Sequence, residues 1–286
     1  MLTKRFLIGY FLISLLSGVG LAIWRTVLMI RYYDPYNNEY APEASNVLQA
    51  LGLIIFFAFV VLATSSFFMI RREFRTFSVS DHQSSVFTSA LLGFVFIAVA
   101  VFVTFYLPTV LADGKYPLFK YSRLASYILL FPCAVYFVLN ATGNARLAET
   151  KKQLSVFPAI WAIVFLVSSY TNPAYNYKDF NHTLCNVAIC ALILFFFYDS
   201  KMAATGQTST SCFVFSLISI TATMVYMLPT FILMAYWELS SCLDHIFEAV
   251  LLGALFYTCA CAWRLCLSVT VKEPKQDVPK EATPSV

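Results

Sequence analysis

Residues 47–70 carry no charged side chain, and runs of that kind recur along the whole chain. A water-soluble domain has nothing with which to cover both faces of such a run. A bilayer does, because about 20 apolar residues of α-helix cross its hydrocarbon core of roughly 30 Å. Eight stretches reach or approach that length, at about 6–30, 47–70, 86–111, 124–139, 154–170, 183–198, 212–234 and 246–269. The fourth to sixth are short and need interfacial flanks, which Tyr121, Arg123, Tyr170, Phe180 and Tyr198 suit. Only 12% of the residues are charged, about half the usual share of a soluble domain. Membrane β-strands would alternate polar and apolar residues, and residues 51–61 have no polar alternate. The fold class is therefore all-α, a polytopic integral membrane bundle of eight transmembrane helices.

Lys and Arg set the orientation, because cytoplasmic loops retain positive charge. With both termini inside, the inner segments hold 13 of the 19 Lys and Arg residues, among them Arg71, Arg72, Arg146, Lys151, Lys152 and Lys201. That bias predicts cytoplasmic termini and a plasma membrane location. Lys4 and Arg5 before an apolar run also resemble a signal peptide, with Gly18, Gly20 and Ala22 as cleavage positions. The run continues past these small residues to Ile30, longer than an ordinary signal core, which favours a retained first span. The bundle is expected over residues 1–270 and a disordered cytoplasmic tail over 271–286, which is polar and rich in proline.

Two echoes suggest a four-plus-four division. The segment NVLQALGLIIFF from Asn46 resembles NVAICALILFFF from Asn186, and Leu107-Pro108-Thr109 resembles Leu228-Pro229-Thr230. A duplication of four spans would give parallel repeats, a plan that some transporters use. The offsets differ, however: 138 for Pro35 to Pro173 and 121 for Pro108 to Pro229.

Ionisable groups inside a span are costly and mark functional candidates. Spans two to seven, as bounded above, hold no Asp, Glu, Lys, Arg or His. This argues against a proton relay at mid-membrane, while Pro132 and Pro158 offer breaks in spans four and five whose carbonyls can meet a cation. The charged exceptions lie near the outer face: Arg25 in span one, and Asp244, His245 and Glu248 at the start of span eight. Either Arg25 pairs with Glu248 beneath the interface, or Arg25 snorkels to the headgroups while Glu248 faces water. The outer loops add Tyr33, Tyr36 and Asn37 in one and Tyr175, Asn176 and Asn181 in another. An aromatic belt explains Tyr at an interface but does not require the clustered Asn, so these residues also mark a surface for a ligand or partner.

Catalytic and metal chemistry lack candidates. The histidines, His82, His182 and His245, have neither metalloprotease spacing nor a partner for haem ligation, and no phosphate loop or nucleophile elbow is present. No metal, cofactor or catalytic residue is expected. Cys185 and Cys242, near outer span ends, are candidates for a disulfide, whereas Cys259, Cys261 and Cys266 read as packing residues. The sequons at Asn140 and Asn181 carry meaning only in a secretory pathway. The net charge of +4 follows from the inner-loop bias and does not point to nucleic acid.

The partners expected are the lipid bilayer and a membrane protein or small-molecule ligand. The leading reading is a non-enzymatic receptor-like protein or accessory subunit that recognises its partner through the Tyr/Asn-rich outer loops. The alternatives are a transporter of a small neutral or amphipathic solute, and an enzyme acting on a lipid-linked substrate. A transporter calls for a polar mid-membrane cavity lined by groups such as Thr64, Ser65, Ser66, Thr104, Ser168, Ser169, Thr221 and Thr223. A receptor or scaffold calls for a dry, packed centre.

Overall fold

A computed structural model describes residues 2–34, 39–74, 77–79, 86–112, 116–142, 145–172, 179–205, 210–237, 242–267 and 269–271. Eight of its helical segments are long and apolar enough to cross a membrane. They are helical because lipid supplies no hydrogen-bond partner, so every backbone amide must find its carbonyl within the span. The helices are α1 (Leu2–Tyr32), α2 (Ser45–Phe74), α3 (Val86–Ala112) and α4 (Pro117–Thr142). A short α5 (Ala148–Leu154) runs into α6 (Phe157–Tyr170) to make the fifth crossing. Then come α7 (Phe180–Thr205), α8 (Thr210–Trp237) and α9 (Cys242–Leu267).

The three spans that look short in the sequence are completed by their flanks, as in α4, which begins at Pro117, and α7, which runs on to Thr205. Proline acts differently at the positions where breaks were expected. Pro158 sits in the first turn of α6, where its missing amide costs nothing, and Ser155 bridges the α5–α6 junction by donating its hydroxyl to Lys152 O at 2.7 Å. Pro132 lies inside an α4 that continues through it.

Successive crossings alternate in direction, so the start of α1 and the end of α9 lie on one face, here the terminal face. Strands β3 (Phe77–Val79) and β4 (Val269–Val271) pair antiparallel there and tie the α2–α3 connection to the end of α9. At the far face, β1 (Tyr33–Asp34) and β2 (Glu39–Tyr40) form an equally small ribbon.

Helices α8 and α9 form the centre, with 72% and 61% of their spanning windows buried, against 22% for α2 at the edge. Around them α1, α7, α6, α4 and α3 pack in that order, with α2 set against α8 and α1. The halves do not pack as equivalents, since α7 lies along α8 while its counterpart α2 does not lie comparably along α3.

Small residues set the closest approaches. A Cβ on Gly18 would stand 3.4 Å from the Thr221 Cα, bringing α1 onto α8, and Ser14 donates to Leu217 O at 2.7 Å beside it. A Cβ on Gly93 would stand 3.2 Å from the Val138 amide nitrogen, bringing α3 onto α4. Ser216 and Ser219 are buried as interface residues, whereas Ala98 is exposed toward lipid.

The interior is aromatic. Phe96 stacks on Phe137 at 5.6 Å and meets Trp161 edge-on at 5.1 Å, and Phe137 in turn meets Tyr257 at 5.1 Å. Four helices are thereby joined through one ring cluster. Of the hydroxyls proposed from sequence as cavity lining, those of Ser66 and Thr223 are buried without a hydrogen-bond partner among the described residues. Thr64, Ser65 and Thr104 are bonded back to carbonyls of their own helices, and Thr221 is spent on Ser14 and Leu217.

Candidate functional site

The most elaborate polar cluster lies beneath the far face and begins with a proline. Pro229 has no amide hydrogen, so the carbonyl four residues earlier, Val225 O, has no partner in α8. Arg25 of α1 supplies one: its Nη1 donates to Val225 O at 2.8 Å and to Tyr226 O at 2.6 Å. Its Nη2 donates to the Asn181 Oδ1 of α7 at 3.0 Å. Arg25 lies about 10 Å below the end of α1 at 1.5 Å per residue. It is only 1% exposed, so it does not snorkel.

Glu248 is buried as well and comes to the same place through Tyr226. The Tyr226 hydroxyl donates to Glu248 Oε1 at 2.8 Å, while its ring lies 5.5 Å from the Arg25 guanidinium carbon. The expected cation and carboxylate are therefore joined by an intervening tyrosine, which receives Arg25 at its carbonyl and ring and reaches Glu248 with its hydroxyl. Cys185 stands in the electrostatic reach of both. It carries a free thiol, so the expected bridge to Cys242 is not formed.

Above Arg25, the cluster ties two loops together. Tyr40 of β2 donates its hydroxyl to Asn181 Oδ1 at 2.8 Å, so one amide oxygen receives both Arg25 and Tyr40. Tyr40 pairs across the ribbon with Tyr33, their rings 5.0 Å apart. Burial pushes the Tyr40 hydroxyl up to about 12 from its ordinary 10.0, against the pull of Arg25. Burial raises Tyr33 too, with Asp179 adding to it. The Asp179 carboxyl is also held above its ordinary range by burial, although the backbone amides of Asn181 and His182 oppose that. The sequon at Asn181 is thus occupied by hydrogen bonding, and that at Asn140 is buried with its amide donating to Ser89 Oγ at 3.1 Å.

Beside this lies a Ser–His contact that imitates a catalytic pair. Ser169 Oγ is 3.2 Å from His182 Nε2, but that nitrogen is also 3.0 Å from the Ser169 carbonyl oxygen. A carbonyl only accepts, which calls for the proton on Nε2, whereas the Asn186 amide nitrogen, which only donates, stands 3.5 Å from the same atom; the shorter contact favours the tautomer with the proton on Nε2. Ser169 instead donates to Asn186 Oδ1 at 2.9 Å. The arrangement fastens α6 to α7.

A second buried carboxylate lies toward the terminal face. Asp199, 2% exposed, accepts from the Tyr257 hydroxyl at 3.0 Å, with Tyr136 and Cys261 in its electrostatic reach. The sequence boundary at Tyr198 assigned this residue to a loop, whereas α7 carries it inside the bundle. Its signal in the sequence is an apolar helix face that continues past the charge to Met202, itself buried. Tyr226 was missed similarly; its signal is a tyrosine three residues before an in-span proline.

Of the sequence candidates, Arg25, Tyr33 and Glu248 lie in or around the far-face cluster. Asp244 and His245 are in the first turn of α9, with their side chains outside the described residues. Tyr36, Asn37, Tyr175 and Asn176 lie outside the described residues, as does the tail over 272–286. Among the described residues, no group of three or more His, Cys, Asp or Glu gathers to hold a metal ion. Cys261 and Cys266 of the CACAWRLC segment are packed in the core.

Eight apolar crossings around a packed aromatic centre define a multi-pass integral membrane protein of the helical-bundle class. Comparison of the chain with family models, curated proteins and solved structures finds no match.

Proposed function

We propose that this protein is a non-enzymatic receptor-like protein or accessory subunit that recognises a membrane protein partner or small ligand at its far face. The recognition surface comprises Tyr33, Tyr36, Asn37, Tyr175, Asn176, Asp244 and His245, with Arg25 and Glu248 as its buried base. One observation carries the reading: the two Tyr/Asn-rich connections are fastened to each other at their roots, where Asn181 Oδ1 receives both Tyr40 and Arg25. A lipid-facing aromatic belt requires no such link, whereas a binding surface gains from loops that are ordered before the partner arrives. The aromatic ring cluster that joins α3, α4, α6 and α9 supports recognition over transport. The charge bias of the connections supports a plasma membrane location with this face outward and both termini cytoplasmic.

Native mass spectrometry of the full chain, extracted gently from its own membrane, tests the proposal. The expected result is a stoichiometric protein or ligand that is lost from a Tyr36→Ala/Tyr175→Ala variant of unchanged thermal stability. A chain that travels alone, together with solute flux in vesicles containing only this protein, would sink it.

A further inference from the structure

Helices α3 and α4 are clamped together toward the terminal face. The clamp has three parts: the close approach at Gly93, the Asn140–Ser89 hydrogen bond at 3.1 Å, and the Phe96–Phe137 stack. Beyond it, Ala100 and Ala134 are too small to fill the space between the helices. A groove of 320 Å³ remains, walled by Ile97, Val101, Phe131 and Val138. Phe131 and Val101 stand 71% and 56% exposed at its rim, so the groove faces the surroundings of the bundle and not its interior.

We infer that this groove is a binding site for a single acyl chain of a bilayer lipid. The lining side chains are all hydrocarbon and both helices lie within membrane spans, so a polar or charged occupant would lose its hydrogen bonds there. The dimensions select among apolar occupants. From Phe131 to Leu139 the groove follows about 12 Å of helix, and 320 Å³ over that length leaves a mean section of about 27 Å². A helix of a second copy, about 10–12 Å across, needs roughly 80–110 Å². One file of methylene groups enters along the whole groove, where a helix could insert only side chains. An occupant restores contacts that the lining would otherwise lack. A chain that leaves fluid lipid for this groove gains packing and no hydrophobic transfer energy. The preference over bulk lipid is accordingly modest, about tenfold, which corresponds to about 1.4 kcal/mol.

The test uses the full chain reconstituted in phosphatidylcholine vesicles and released into native mass spectrometry. Wild type is expected to retain one phosphatidylcholine per chain, Ala134→Phe to retain about tenfold less, and Leu53→Phe, on the lipid-exposed side of α2, to match wild type. The inference is overturned if wild type retains none, if a folded Ala134→Phe retains as much, or if the species lost on filling the groove is a dimer. Should Ala134→Phe fail to fold, Phe131→Trp in vesicles with dibrominated chains decides. Quenching that exceeds that of Leu53→Trp and falls with Ala100→Val supports the site. Quenching equal to that of Leu53→Trp, or unmoved by Ala100→Val, overturns it.

Discussion

Arg25 and Pro229 are 204 residues apart, and the structure makes each the reason for the other. Arg25→Met removes the donors to Val225 O, Tyr226 O and Asn181 Oδ1. Two of these acceptors keep another partner, since Thr230 donates to Tyr226 O at 2.8 Å and Tyr40 to Asn181 Oδ1. Val225 O loses the Arg25 donor with no α8 amide to replace it, because residue 229 has none. Stripping a buried acceptor of its donor costs about 1–3 kcal/mol. Removing a buried cation from beside a buried carboxylate brings the whole cost to about 3–5 kcal/mol. Pro229→Ala restores the amide, so in that background Arg25→Met is expected to cost about 1–3 kcal/mol less. Reversible unfolding in mixed micelles of wild type, both single variants and the double variant closes the cycle. Additivity within about 0.5 kcal/mol would refute the reasoning, because it would mean that the guanidinium does not replace the missing amide.

Other consequences follow from the same contacts. Tyr257→Phe deletes the donor to Asp199 and should cost about 1.5–3 kcal/mol in the same unfolding assay, the value of a hydrogen bond to a charged group; no change would mean that the bond contributes nothing. Gly93→Ala places a Cβ 3.1 Å from Val138 Cγ2 and 3.2 Å from its backbone nitrogen, for an expected loss of about 1–3 kcal/mol. Gly20→Ala, with nothing within 4 Å, should be neutral or stabilising by up to about 1 kcal/mol. Because the Tyr40 hydroxyl is raised to about 12, the folded state holds its proton more tightly than the unfolded chain. Its contribution to stability is complete below pH 10 and is lost as the pH rises through about 12. Tyr40→Phe should therefore flatten that alkaline slope in a pH series of unfolding midpoints, and an unchanged slope would place the titration elsewhere. A fluorophosphonate probe should leave Ser169 unlabelled, and a labelled peptide containing it would overturn the assignment of the His182 proton.

The crossings were legible in the sequence because hydropathy acts on each segment alone. A run such as 47–70 has no other stable place, whatever the remaining helices do. The ends were less legible, for a reason that Asp199 makes concrete. Ending a span at its first charge assumes that the charge is solvated, and α7 instead carries Asp199 into the bundle, where Tyr257 meets it. Arg25 could be singled out as a costly intramembrane cation, but its partners could not. Val225 O becomes a strong acceptor only through Pro229, and α1 lies against α8 only in the folded bundle. The pairing with Glu248 was sensible from charge alone, and it lacked Tyr226, whose ring, carbonyl and hydroxyl serve both sides. Rotations of helices decided the rest: Ala98, small enough for an interface, faces lipid, while Gly93 five residues earlier faces α4.

Two buried clusters hold the charged groups, one around Arg25 and Asn181 and the other around Asp199 and Tyr257, while Ser14 and Thr221 join α1 to α8 between them. A solute passing among α3, α4, α6 and α9 would have to part Phe96 from Phe137 and Trp161, and Phe137 from Tyr257. Each such pair contributes about 0.5–1.5 kcal/mol beyond its buried area, and α8 and α9 have their mates on almost every side. The far-face cluster is held differently. There α1, α7 and α8 meet a two-stranded ribbon and the root of the α6–α7 connection, held by side-chain hydrogen bonds that a partner can extend outward without disturbing the core. This difference in the cost of rearrangement is the physical ground for seeking the protein's activity at the far face before seeking it along the bundle axis.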